Sequence, residues 1–507
     1  MGKPFMKQLN YVISTLSPIL IGAGEDFIPV EYVVRDKYLY PFSVLSINDI
    51  INDQQRNRLR EIASRDDSLS GLVEFYKELK ELPYVSERMI PMTEFAYLHH
   101  KKQNGRIERM IYDHYSNQPI LPGSSVKGSI RTAILNSLAE DKENIAPGEP
   151  ERDLMNGAFE NDPLTKLKIG DAHVALGWSG KTTCIMTRHS RHRKDGTETT
   201  VKDGRNFLAE CLYPFQSRWM NGKITILDGF VFEDRFIDQC NKYYKSILDR
   251  QIDMLKAMKE PWWADHFAHR IYTAIENKSG ILLRIGKHSG ADTQSIQKIR
   301  RIRTKYNTKD PLSTTLCRIS GGQLVPFGWV FVEFYPDGEE LRITELQTTI
   351  NSICHQININ VDDWDRQCFD YNNYKKVLKD KIAFNRNELE QKRLQEQRKE
   401  EQRLADQAQA DALEQERVAR LAALSPNQRR IEELRQLIEK SSPQPFANTL
   451  WNKTKKVVDD ARSSAWSAEE KNQLIALCER DLWKKINKGL DEKKKKALLD
   501  PLRETLS

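Results

Sequence analysis

Two cations four residues apart, Lys127 and Arg131, lie in the stretch LPGSSVKGSIR from Leu121 to Arg131. Pro122-Gly123 reads as a turn and Ser124 or Ser125 as the cap of a helix, with Val126, Ile130 and Ile134 on its buried side at four-residue spacing. Lys127 and Arg131 then share a different face, with Gly128 between them. That face lies near a helix start whose open N–H groups already favour an anion, so the chemistry expected is phosphate binding. An ordinary capped helix with a solvated Lys and Arg would leave the same local pattern.

A second candidate runs from Arg284 to Gly290. Gly286 and Gly290 leave backbone amides open to close approach, while Arg284 and Lys287 add charge beside Ser289. Two glycines four apart also mark many plain turns, so the neighbourhood matters. Residues 284–306 hold seven Lys and Arg, Arg300 and Arg301 among them, against one Asp. That is the most basic stretch of the chain. A third, TRHSRHRKDGTETTVKDGR, starts at Thr187, includes Arg188, Arg191 and Arg193, and has loop signals at Asp195-Gly196 and Asp203-Gly204. It reads as an exposed β-hairpin, or as a plain basic loop.

Cutting chemistry has candidates too. His99, His100, His189, His192 and His288 are possible acid/base groups. No spacing brings a nucleophile, a base and an oxyanion stabiliser together. The seven cysteines are scattered without a CxxC pair, and Cys354-His355 is the only close Cys/His pair, so neither a metal nor a cofactor is expected.

Positioning such residues takes a mixed framework. Tyr11, Ile13 and Thr15 open a strand; EYVVRDKYLYPF looks like a hairpin turning at Arg35 to Lys37; SLSGLVEFYKELKEL is a helix. Asn104-Gly105 suggests a further hairpin between Glu94 and Tyr115. The class is α+β, with a ferredoxin-like or RNA-recognition-type sheet whose strand order the pattern leaves open.

LPGSSVKGSIR closely resembles the PGSS-x-KG-x-x-R signature of the RAMP proteins of type III CRISPR complexes. LSPILIGAGEDF, with Gly22 and Gly24 after the first strand, resembles the opening of the same proteins, and PLTKLKIGDA (163–172) resembles a later block. ILLRIGKHSGADTQSI (281–296) and LVPFGWVFVEF (324–334) look most like the Csm-type subunit five of type III-A complexes. The resemblance implies a RAMP core over residues 1–380 that binds the 3′ region of the CRISPR RNA, caps a filament of backbone subunits and cuts nothing. Its implied partners are CRISPR RNA, target RNA, the backbone and small helical Csm-type subunits, and host nucleases. An RNA-processing endoribonuclease, a 5′-handle binder and a Cmr-type cap remain as alternatives.

Residues 381–424 carry nine basic and nine acidic residues with no Gly or Pro, as a charged linker helix would. Residues 425–507 read as a small all-α appendix. It opens at Ser425-Pro426, carries Trp451, Trp466 and Trp483, and includes the run Lys493–Lys496, a possible phosphate contact or solvated surface. The whole 507-residue chain suits two to four domains at roughly one per 100–200 residues. It lacks an uninterrupted apolar run of about 18 residues and a signal-peptide core, so the expectation is a cytoplasmic protein with reduced thiols and no membrane partner.

Overall fold

A computed structural model describes residues 5–65, 68–86, 88–145, 149–155, 157, 161–174, 182–192, 198–200, 206–299, 313–357, 361–446 and 448–506. The chain divides into two compact units, 1–384 and 385–507.

The first unit is α+β and rests on two sheets. One has the order His173–Val174, Gln216–Leu227, Met6–Thr15, Trp329–Tyr335, Ile281–Arg284, with Leu167–Ile169 also paired to Gln216–Leu227. All its pairings are antiparallel. Aromatic and β-branched residues suit its pleated, buried centre: Ile13 lies opposite Met220 on one side and Val332 on the other, and all three are fully buried. The helices Phe236–Ala257 and Trp262–Glu276 pack into the same core. Asn241 completes the edge strand, donating to the Gly280 carbonyl at 2.9 Å and accepting from the Leu282 N–H at 2.9 Å. Trp263 stacks near Trp329 and donates its indole N–H to the Leu16 carbonyl at 2.7 Å.

The second sheet runs Leu324–Pro326, Ser313–Arg318, Thr182–His192, Leu208–Leu212, Ile107–Met110, Gly22–Phe27. Leu208–Leu212 and Ile107–Met110 pair in parallel. Tyr32–Arg35 and Tyr38–Pro41 form the expected hairpin, and Asp36 and Lys37 take left-handed φ of 48° and 66°, as a two-residue primed turn requires. Ser68–Glu78 is the expected helix.

Between Glu94 and Tyr115 the expectation fails. Glu94–Lys102 is a helix, because the Thr93 hydroxyl caps it at the Ala96 N–H, 3.3 Å away. Asn104-Gly105 links that helix to Ile107–Met110, and the Tyr32 hydroxyl lies 2.6 Å from both the Asn104 side-chain oxygen and the Gly105 carbonyl. Ile107–Met110 has both edges filled by Gly22–Phe27 and Leu208–Leu212, so it needs no strand from residues 94–102.

The helix expected from residue 381 starts earlier. It runs Val361–Ala422, 62 residues or about 93 Å. Tyr371 and Leu378 are buried, and the Tyr371 hydroxyl donates to the Ser86 carbonyl at 2.7 Å.

In the second unit, Pro426–Lys440, Thr449–Asp460, Ala468–Leu477 and Glu492–Arg503 enclose a core that includes Leu434, Val458, Leu474, Leu482 and Leu502. Ser425 caps the first of these with Gln428 reciprocating and Pro426 at the first helical position. Among the described residues, no helix is long and apolar enough to cross a membrane.

Candidate nucleic-acid interface

The motif helix runs Gly123–Asp141. Neither serine caps it. Leu121 is pinned to Ala172 by two backbone hydrogen bonds of 3.0 and 2.9 Å. This brings the neighbouring Asp171 to the helix end, where its carboxylate accepts the Gly123 N–H at 2.8 Å. A Cβ at Gly123 would lie 2.1 Å from the Ile169 carbonyl oxygen, so only glycine fits that approach. The positive end of the helix therefore already holds an anion supplied by the chain. Ser124 is exposed and Ser125 half-buried.

Beyond the cap, Val126, Ile130 and Ile134 face the core as the spacing predicted. Lys127 is half-buried and has no ion-pair partner among the described residues. Its pKa is lowered, first by burial and then by the nearby charge of Lys168, with Asp162 opposing. Gly128 is exposed, and a Cβ there would meet nothing within 4 Å. A helix-interior glycine costs about 0.5–1 kcal/mol relative to alanine, and no packing among the described residues requires one here. Arg131 differs from the expectation of a free cation: it pairs with Asp162 and, at 3.3 Å, with Glu151. Lys168, exposed on Leu167–Ile169, was overlooked. The alternation Lys166, Leu167, Lys168, Ile169 was the available signal.

The 284–290 segment is a neighbour of this helix. The Ser129 hydroxyl lies 3.4 Å from the Arg284 carbonyl oxygen, and Asn136 bonds to the backbone at Ser295 and Gln297. Its composition nevertheless serves the interior. Arg284, expected on phosphate, is 4% exposed; its Nε donates to the Phe327 carbonyl at 2.9 Å and its guanidinium lies 5.2 Å from the Trp329 ring centroid. Burial pulls its pKa down to about 10. Gly286 and Gly290 have φ of 84° and 93°. Ser289 is buried, donating to the Gly286 carbonyl at 2.8 Å. Lys287 reaches over Gly22, where a Cβ would meet its Cε at 2.8 Å, and pairs with Glu108 at 3.5 Å. Gly24 has φ 88° and open space around it.

Glu108 was missed in the sequence. It also lies 2.7 Å from His288 Nε2, tying the loop to Ile107–Met110. Burial pushes its carboxyl up, but the His288 hydrogen bond, the His288 charge and Lys287 outweigh this and leave its pKa lowered. His100 is pulled down to about 4, by burial first and then by Lys77 and His99. Cys354 accepts from Gln216 Nε2 at 3.3 Å, and no group of three or more His, Cys, Asp and Glu gathers among the described residues.

Arg188 and Arg191 lie on the strand Thr182–His192, which pairs with Glu198–Thr200 at Ser190↔Thr200, Arg191↔Thr199 and His192↔Glu198. The basic hairpin therefore has its two strands. Arg193, Arg300 and Arg301 fall outside the described residues.

Residues 12–253 match the family model of the RAMP superfamily. Among solved structures, the chain is similar to one in a cryo-EM structure of a Csm-crRNA-target RNA ternary complex in a type III-A CRISPR-Cas system, at 17% identity and a TM-score of 0.45. That match covers 64% of this chain and 100% of that one. It is also similar to Csm5 of T. onnurineus, at 16% identity and a TM-score of 0.41, over 63% of this chain and 99% of that one. No curated protein matches the sequence.

Proposed function

We propose, from the match of residues 12–253 to the RAMP superfamily model, that this chain is a non-catalytic RNA-binding subunit of a type III-A CRISPR effector complex. In this reading it holds the 3′ region of the CRISPR RNA, caps the filament of backbone subunits, supports RNA maturation and helps bind target RNA. The observation that carries it is the pair Lys127 and Gly128: an ammonium without an ion-pair partner among the described residues beside a helical glycine with an open face. A phosphate can approach the helix backbone at Gly128 while Lys127 meets its charge, and Lys168 adds to the same field. Contacts of this kind read no base, so binding is largely independent of sequence. The subunit assignment draws on the blocks at 281–296 and 324–334.

Crosslinking within the purified complex tests the assignment. RNA bonded to this chain should map to the 3′ end of a discrete small RNA; crosslinks at the 5′ handle would move the subunit to another position, and absence of a small RNA would end the reading.

A second reading, an endoribonuclease, draws on His288, which has a φ of 62° and an adjacent carboxylate in Glu108. Cleavage by the isolated chain that vanishes in His288→Ala would establish it.

A further inference from the structure

Charge in residues 425–507 is distributed unevenly. They hold eighteen Lys and Arg against thirteen Asp and Glu. Eight of those cations, all lysines, and only three of the acids belong to the end of the unit where five elements converge. There Pro426–Lys440 finishes, and Lys485 donates to the Glu439 carbonyl at 3.3 Å. Gln444–Pro445 pairs with Ile486–Lys488, and the Phe446 N–H donates to the Lys488 carbonyl at 2.7 Å. Thr449–Asp460 begins there, with Trp451 packed 4.8 Å from Phe446. Glu492–Arg503 begins there too, with Lys494 4.2 Å from the Phe446 centroid. Elsewhere in these residues ten cations balance ten acids, so the whole excess of five lies at this end.

The acids at this end do little to offset the lysines. Asp491 accepts the Lys494 N–H at 2.8 Å as a helix cap, and Glu492 pairs with Lys495 at 2.9 Å. Lys440, Lys484, Lys488, Lys493 and Lys496 are exposed and have no ion-pair partner among the described residues, although Lys440 lies near enough to Glu414 to help lower its pKa. Away from this end the pattern reverses: Arg430 pairs with Asp460, Arg462 with Asp459, and Arg503 with Glu479 and Asp500. Concentrated lysine charge at this end, beside a half-buried Trp483, suits a phosphate chain better than a carboxylate surface, because repeated phosphates release counterions as each lysine engages.

We propose that this end of the second unit is a separate binding surface for the sugar-phosphate backbone of single-stranded RNA. It lies outside the residues matched to the RAMP superfamily, and the choice of RNA over other polyphosphates rests on the function proposed above.

The test uses the full chain with Lys440, Lys484, Lys488, Lys493 and Lys496 all changed to Gln, and a labelled oligouridylate titrated over a salt series. Kd should rise about tenfold, and the log–log salt slope should become shallower by about 0.7 for each phosphate no longer neutralised. A matching set of Lys→Arg changes should keep binding. Lys453→Gln with Lys455→Gln and Lys456→Gln, from the balanced remainder, should leave Kd and slope unchanged. The proposal is overturned by an unchanged slope in the five-lysine variant, by equal loss per lysine in the control, by loss of binding in the arginine set, or by polyglutamate displacing RNA as well as polyuridylate does. Lys127→Gln reports the first unit separately, so weakened binding in one variant without the other tells which surface has failed.

Discussion

At Gly128 an added Cβ would meet nothing within 4 Å among the described residues, whereas at Gly286 it would lie 2.4 Å from the Leu20 carbonyl oxygen. The motif helix and the 284–290 loop are built from the same kinds of residue, glycine, serine, lysine and arginine. In the helix, Gly128 and Lys127 are left to the outside. In the loop, Gly286 lets the backbone pass Leu20, Ser289 closes a turn, and Arg284 is consumed by Phe327 and Trp329. A glycine whose space is already filled supports the fold, and one whose space is empty is available to a ligand.

The sharpest way to break this contrast is to fill both spaces. Gly286→Ala should cost roughly 3 kcal/mol in urea denaturation, from the left-handed φ and the backbone clash together. Gly128→Ala should instead stabilise by about 0.5–1 kcal/mol while weakening RNA binding. Equal signs in the two variants would dissolve the distinction.

Next in size is the anchor of the loop. Glu108→Gln should cost about 1.5 kcal/mol near neutral pH by weakening the hydrogen bonds to His288 and Lys287. Because the Glu108 pKa is lowered in the fold, its contribution is full above the ordinary glutamate value of about 4.3 and is lost as pH falls through the lower folded value. Denaturation at pH 7 and pH 3.5 should therefore show a smaller acid-induced loss in the variant than in the parent. Parallel losses would mean that Glu108 is not the titrating anchor.

Lys127→Gln should raise Kd for RNA about fivefold, make the salt slope shallower by about 0.7, and leave the melting temperature unchanged. A drop in melting temperature with unchanged Kd would move Lys127 to the side of the loop residues. The smallest effect belongs to Asp171→Asn, which keeps an acceptor for Gly123 while removing a negative charge; RNA affinity should rise about twofold. Weaker binding would show that Asp171 orients the helix rather than competing with phosphate.

Much of this was readable in advance wherever short-range chemistry decides the outcome. The turn at Asp36 and Lys37, the cap at Ser425 and the buried stripe Val126, Ile130, Ile134 each follow from a few neighbouring residues. Asn104-Gly105 misled because the deciding partners of Ile107–Met110 come from residues 22–27 and 208–212. Arg284 misled for a related reason: a basic local composition says nothing about Phe327 and Trp329 closing over it from more than forty residues away. The helix beginning at Val361 depends on the burial of Tyr371 against a segment near Ser86, which no window on the sequence contains.

In the proposed role, Asp171 at the head of the motif helix also bears on how quickly RNA would be captured. A helix end that carries its own counterion is electrostatically complete before any nucleic acid arrives, so its dipole adds little pull at a distance. At this helix, long-range attraction falls instead to Lys127 and Lys168, whose reach is the Debye length, about 10 Å at 0.1 M salt. Association should thus be governed by encounter: faster in dilute salt, slower in concentrated salt, with dissociation much less affected.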